Sequence, residues 1–428
     1  MRAIAWLLAL FAVAVAAALL AGNNQSTVTV YWPPYRVDLS LNLVLLLAVA
    51  TFAALHFALK ALSALFAMPQ QAQRWRLQQK ERATHAALLD AFSHLLAGRF
   101  LRARKAAEVA LRQEQALLAS GHPLAHGDKL RALAHLVTAE SGHSLQDKTT
   151  RDTHLQLALD STAQRNTLET QETREGIQLR AAHWALADRD ADAALQQLDA
   201  MPQGAARRTL ALRVRLKASR LARQTLPALE TARLLAKHRA FSPAAAQSIL
   251  RGLALELLAT AHDPAQLQRA WAALDPSERL MPDVAIQAAQ RLATLQGDTV
   301  LARQWLLPIW EHMVAHPEQE HAYGTKLVRA LEAGISAPDS PADLPWLHRI
   351  EAAQQRNPRD ARLQYLAGMA CLHHQLWGKA QQLLAQSVHQ LDDAYLQRSA
   401  WRALADLAAQ RGDTAAAQAA YRQVAAIH

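Results

Sequence analysis

Small residues recur in this chain at a spacing that suits paired, crossing helices. Residues 88–110 read LLDAFSHLLAGRFLRARKAAEVA, with Ala91, Gly98, Ala103 and Ala110 in step. Residues 401–424 read WRALADLAAQRGDTAAAQAAYRQV, with Leu404, Ala405, Gly412, Ala417 and Tyr421 at the same relative places. Residues 365–387 supply Gly368, Ala380 and Leu384, and residues 289–309 supply Gly297, Ala302 and Leu306. Small side chains stand where two helices cross, because larger ones would hold them apart, and a bulky residue further on fills the gap to the next pair. From residue 70 onward apolar positions repeat with helical period. Composition agrees: 51% of residues are apolar but only 5% aromatic, with 14 Gly and 16 Pro in 428 residues. Ala, Leu, Gln and Arg lose little rotamer freedom in a helix, whereas the residues that favour strands are scarce. Collagen, disulfide scaffold, β-sandwich, β-barrel and a mostly disordered chain are thereby excluded.

The pattern resembles the tetratricopeptide repeat, a helix–turn–helix of about 34 residues. The 401–424 unit fits best. The 181–200 unit has Asp188 where a turn glycine is expected, and residues 140–153 read as a loop-expanded turn. Ser242-Pro243, Asp263-Pro264, Asp275-Pro276 and Asn357-Pro358 each place a capping side chain before a proline, marking four helix starts. Every unit leaves an apolar face that only a neighbour can cover, so the array stacks into an α-solenoid. The spacing predicts an array over 69–335, a proline-rich hinge at 336–345, and final repeats over 346–428.

The N-terminal residues 1–68 read as a transmembrane hairpin. Residues 4–21 (IAWLLALFAVAVAAALLA) and 39–59 (LSLNLVLLLAVATFAALHFAL) carry no charge, and each is about the length that crosses a bilayer. A cleaved signal peptide is the alternative for the first. Lys60, Arg74, Arg76, Lys80 and Arg82, against Glu81, follow the second span, whereas the loop 22–38 holds one Arg and one Asp. The positive-inside rule then puts both ends, and the C-terminal array, in the cytoplasm. Arg74, Trp75, Arg76, Lys80 and Arg82 are expected at anionic lipids. In the loop, the stretch 27–38 alternates polar and apolar residues before Pro33-Pro34 and reads as an extended segment and a turn. Tyr31, Trp32 and Tyr35 are its expected interface anchors.

Chemistry-bearing motifs are missing. No GxGxxG, GxxxxGK[ST], GxSxG or HExxH occurs, so the chain does not read as an enzyme, and no metal site is expected. The formal net charge of +10 is dispersed among carboxylates, with no nucleic-acid-binding signature. Cys371 is the one cysteine and reads as a small hydrophobe. Histidine is abundant, 19 in all, and His373-His374 is the densest pair; imidazole can ligate haem iron, so these two are candidate haem or porphyrin contacts, though no cofactor is called for. A partner groove along the first helices of the units would include His85, Leu88, Phe92 and Leu96, and later Arg362, Tyr365 and Met369.

The two-span hairpin, the short loop ending Tyr-Arg-Val-Asp-Leu-Ser at 35–40, the basic exit and the repeat array together resemble the HemY family of bacterial inner-membrane proteins. The resemblance implies a scaffold or regulator of late protohaem biosynthesis whose partners are the enzymes of that route. An unrelated flavin-dependent porphyrinogen oxidase shares the name, but this chain lacks its dinucleotide-binding glycines. Two further readings remain: a general membrane-tethered assembly platform, and a haem- or porphyrin-binding carrier.

Overall fold

A computed structural model describes residues 11–16, 18, 22, 26–163, 168–316, 322–335 and 344–427, with backbone alone for 64–71. Two antiparallel strands come first, β1 (Thr27–Trp32) and β2 (Tyr35–Ser40), joined through Pro33-Pro34. They are the only strands among the described residues, and the helices of the remainder make the fold all-α. The chain divides into two compact units, 1–170 and 171–428.

The first unit contains α1 (Leu41–Leu96), α2 (Phe100–Ala119), α3 (Gly127–Ser144) and α4 (Lys148–Ala163). Then α5 (Leu168–Ala187) crosses the division. The second unit continues through α6 (Ala191–Asp199), α7 (Gln203–Ala206), α8 (Thr209–Leu221), α9 (Thr225–Lys237) and α10 (Pro243–Ala259). Next come α11 (Pro264–Ala272), α12 (Pro276–Arg279), α13 (Pro282–Thr294), α14 (Thr299–Ala315) and α15 (Gly324–Ala333). It closes with α16 (Leu344–Arg356), α17 (Ala361–His373), α18 (Trp377–Ser387), α19 (Ala394–Gln410) and α20 (Thr414–Ala426).

One helix among the described residues is long and apolar enough to cross a membrane, the Leu41–Ser63 part of α1. The first expected span, 4–21, falls mostly outside the described residues; 11–16 and 18 are helical. Ser40 caps α1 by accepting from the Leu43 amide at 3.3 Å. The helix then runs for 56 residues, about 84 Å at 1.5 Å per residue, and continues through Pro69.

It stops at Gly98, whose φ of 70° turns the chain back. The Gly98 amide donates to the Leu95 carbonyl at 3.0 Å and the Arg99 amide to that of His94 at 2.8 Å, a Schellman closure. Among the described residues eight more helix ends have a left-handed residue: Gly121, Gln146, Arg189, Arg223, Arg239, Gln296, Gln375 and Gly412. Six of the nine positions thus hold Gln or Arg, which explains several departures from expectation. Residues 140–153 contain no expanded loop, since Gln146 turns the chain and Asp147 Oδ1 accepts from the Thr150 amide at 3.1 Å. In the 181–200 unit Arg189, not Asp188, is the turn residue, and Asp190 caps α6. Gly297 is not left-handed; Gln296 is, and a Cβ at Gly297 would stand 2.4 Å from Leu292 Cδ1.

Three of the four proline-marked starts are helix starts, at Pro243, Pro264 and Pro276. The fourth is not: Pro358 lies in a turn, and α17 begins at Ala361 because Asp360 Oδ1 takes the Arg362 amide at 2.9 Å. At the crossings the small residues are buried as the pattern requires. Ala91, Ala103 and Ala107 form a core with Leu111, Ala134 and Val137, and Gly368 lets α17 lie against Leu384 of α18. In the second unit one core extends from Leu212 to Leu407, including the stacked Trp271–Trp305 rings 4.6 Å apart. Of the expected hinge at 336–345, residues 336–343 fall outside the described residues and Leu344 and Pro345 open α16; residues on either side share that core.

Candidate interaction surfaces

The expected interface anchors sit at the tip of the strand pair. Trp32 pairs with Tyr35 and Tyr31 with Arg36 across the register. Trp32 is 75% exposed and Tyr35 72%. The Arg36 guanidinium stands over the Tyr31 ring at 5.6 Å, and the Thr29 hydroxyl donates to Asp38 Oδ1 at 2.6 Å. The base of the pair is tied to the helix, because the Leu41 amide donates to the Ser26 carbonyl at 2.9 Å.

Beyond it, none of the Leu41–Ser63 segment is buried; Leu41 and Val44 in the first turn are half-covered, and the later leucines, Val49 and the phenylalanines are exposed. The same helix then carries Arg74, Trp75, Arg76, Lys80 and Arg82, all exposed. Further along, α1 becomes one-sided. Thr84 and Ala91 are buried while Leu88 and Phe92 pack partly against α2 and α3.

The groove residues divide. His85 is exposed, with its Nδ1 2.8 Å from the Glu81 carbonyl, and Leu96 is 88% exposed at the helix end. Arg362 turns back on Asp360, its Nη2 3.0 Å from Oδ2, and both line a cavity of about 570 Å³ with Arg359, Asp392 and Asp393. Met369 packs against the large core. Tyr365 has no accessible surface: its ring lies within the core and its hydroxyl donates to Glu332 at 2.7 Å, so it lines no open face. His373 closes α17 and His374 caps it, both half-buried. His389 of the same repeat meets Trp401 edge-on at 5.5 Å.

Several polar contacts had no counterpart in the sequence reading. Arg233 of α9 grips the buried Glu278 of α12 through two nitrogens at 2.9 and 2.6 Å. His135 of α3 and His154 of α4 face each other with Nδ1 atoms 2.9 Å apart. Burial, then the neighbouring His154 and Arg131, push the His135 imidazole down to about 4. Burial also raises the Glu332 carboxyl, and it pushes the Cys371 thiol up to about 11. A helical register alone does not show these pairs, since their partners lie on different helices.

Residues 26–146 match the model of the family described as HemY protein N-terminus. No curated protein sequence matches the chain. Among solved structures, a complex of Naa15 and Naa10 bound to HypK-THB is similar at 12% identity over 81% of this chain, with a TM-score of 0.22. The present chain spans 59% of the length of that matched chain. The TPR domain of P58(IPK) is similar at 13% identity over 75% of this chain and 98% of that one, again with a TM-score of 0.22.

Proposed function

Because this chain belongs to the HemY family through its N-terminal region, residues 26–146, we propose that it is a membrane-anchored tetratricopeptide scaffold or regulator of late protohaem biosynthesis. In this reading the hairpin of two spans sits in a bacterial inner membrane, the array lies in the cytoplasm, and the repeat surface gathers the enzymes of the route. The observation that carries the reading is the continuity of α1. One uninterrupted helix is a bare apolar rod at one end and a packed repeat helix at the other, so the first repeat is held to the anchor without a flexible linker.

The cations follow from the same rod. Counted from Ser63, where the apolar segment ends, Arg74, Trp75 and Arg76 lie roughly 17–20 Å along the axis and Lys80 and Arg82 roughly 26–29 Å. Screening limits exposed charges to a reach of about 8–10 Å, so in this reading the five residues meet anionic headgroups where the helix tilts towards the surface. The groups whose protonation the fold shifts most, Tyr365, Cys371 and His135, are held in helix packing rather than around a shared cleft, which favours a binding role over a catalytic one. Orientation is checked by a reporter fused after His428, expected to be active on the cytoplasmic side only. Deleting the gene tests the role: porphyrin intermediates should accumulate while the enzymes, assayed in isolation, remain active. Unchanged porphyrin content would contradict it, and stoichiometric haem binding weakened by changing His373 and His374 would favour a carrier instead.

A further inference from the structure

We propose that the β1–β2 ribbon lies flat on the bilayer surface through one of its two faces, with Trp32 and Tyr35 among the lipid headgroups and Tyr31 turned to water. The inference rests on the reading that α1 spans a membrane.

The register sets the faces. Residues opposed in an antiparallel pair share a face, and successive residues alternate. Val28 with Leu39, Val30 with Val37, and Trp32 with Tyr35 therefore form one face, entirely apolar or aromatic. Thr27 with Ser40, Thr29 with Asp38, and Tyr31 with Arg36 form the other. The second face is satisfied within itself, by the Thr29–Asp38 hydrogen bond and the Arg36 guanidinium over Tyr31. The first is not: Val30, Val37, Trp32 and Tyr35 are exposed. An isolated two-stranded ribbon is marginal in water, so this face requires a cover.

Continuity identifies the cover as lipid. Ser40 is at once the last residue of β2 and the N-cap of α1, and the Ser26–Leu41 hydrogen bond closes the base of the ribbon on the first turn of the helix. No residue separates the apolar face from the predominantly apolar Leu41–Ser63 segment, none of which is buried. Whatever bathes the start of that span bathes the ribbon's base. Depth is limited from the other side. Both outer edges of a two-stranded ribbon carry peptide groups without strand partners, which hydrocarbon cannot accept but the headgroup zone can. Six residues per strand extend about 20 Å, more than the roughly 5–8 Å of one headgroup layer. A ribbon standing upright would leave the layer; one lying along it keeps its apolar face covered throughout, with Trp and Tyr in the zone they favour.

The test uses the full chain with Cys371→Ala, reconstituted in vesicles of phosphatidylcholine and phosphatidylglycerol. An environment-sensitive label is placed singly by Val28→Cys, Val30→Cys, Val37→Cys, Thr27→Cys, Arg36→Cys and, within the span, Val49→Cys. Labels at 28, 30 and 37 should be quenched by shallow spin-labelled lipid several-fold more than those at 27 and 36, which iodide should quench instead; Val49→Cys should respond to deep spin-labelled lipid. If the label at 49 responds and the ribbon shows no alternation, the proposal is wrong and the span stands. If the label at 49 does not respond, the spanning reading falls and the proposal with it. Labels at 28, 30 and 37 shielded from both quenchers would also overturn it. A shield that grows with protein-to-lipid ratio would then mean a second copy, and one that does not would mean residues 4–21 of the same chain.

Discussion

The Tyr365 hydroxyl donates to Glu332 Oε1 at 2.7 Å, joining α17 to α15 across 33 residues of chain. The ring has no accessible surface, and burial raises the Glu332 carboxyl while this hydrogen bond and Arg329 draw it back. Tyr365→Phe keeps the ring but leaves the carboxylate without this donor. The expected loss is about 1–3 kcal/mol, read from urea unfolding, with Glu332→Gln in the same background recovering part of it. A Phe variant as stable as the parent would show that the hydrogen bond contributes nothing net.

The left-handed turns make a prediction of opposite signs. Gln375 holds φ 60° and Gly412 holds φ 80° at equivalent helix ends. A side chain in this region costs about 1 kcal/mol, and glycine avoids that cost. Gln375→Gly should therefore raise the melting temperature and Gly412→Gln should lower it. The same sign for both would refute the equivalence of the two turns.

Close approach of α17 and α18 depends on Gly368. An added Cβ would stand 2.8 Å from Leu384 Cγ and 3.3 Å from the Leu384 backbone nitrogen, so relief needs movement of the helix itself. Gly368→Ala should destabilise by about 1–3 kcal/mol. Leu384→Ala, costly alone, should cost less in the Gly368→Ala background, a coupling visible in a double-mutant cycle.

Acid should weaken the first unit through His135. Its imidazole is pushed down from 6.5 to about 4 by burial, with His154 and Arg131 adding to the shift; around His154 stand Arg104 and Glu108. The unfolded chain thus binds the proton more readily than the native one. Stability is complete above pH 6.5 and falls as pH drops from 6.5 towards 4. His135→Gln should flatten that part of the pH profile of unfolding, measured by circular dichroism.

Much of the architecture is legible because small residues at crossings leave a periodic trace. Ala91 and Ala103 are visible as a pattern before any contact is known, and both prove fully buried. Turn chemistry is less legible, since Gln and Arg occupy left-handed positions where glycine is the usual signal; Gln146 hides a tight turn between α3 and α4 for that reason. At residues 357–361 two capping side chains compete within four positions, and Asp360 wins over Asn357 because its carboxylate receives both the Arg362 amide and its guanidinium. Tyr365 illustrates the limit for surfaces. Helical spacing puts it in line with Arg362 and Met369, but whether that line faces solvent depends on Glu332 of α15, which spacing along α17 cannot reveal.

The central claim, that the repeat array gathers enzymes at the membrane, is tested most directly by co-purification. The full chain and a version ending after Met68 are each isolated from detergent-solubilised membranes, and bound proteins are identified by mass. The account predicts late haem-synthesis enzymes with the full chain and their loss from the truncated one, although the hairpin still inserts. Equal recovery with both, or conversion of a porphyrin precursor by the purified protein alone, would contradict it.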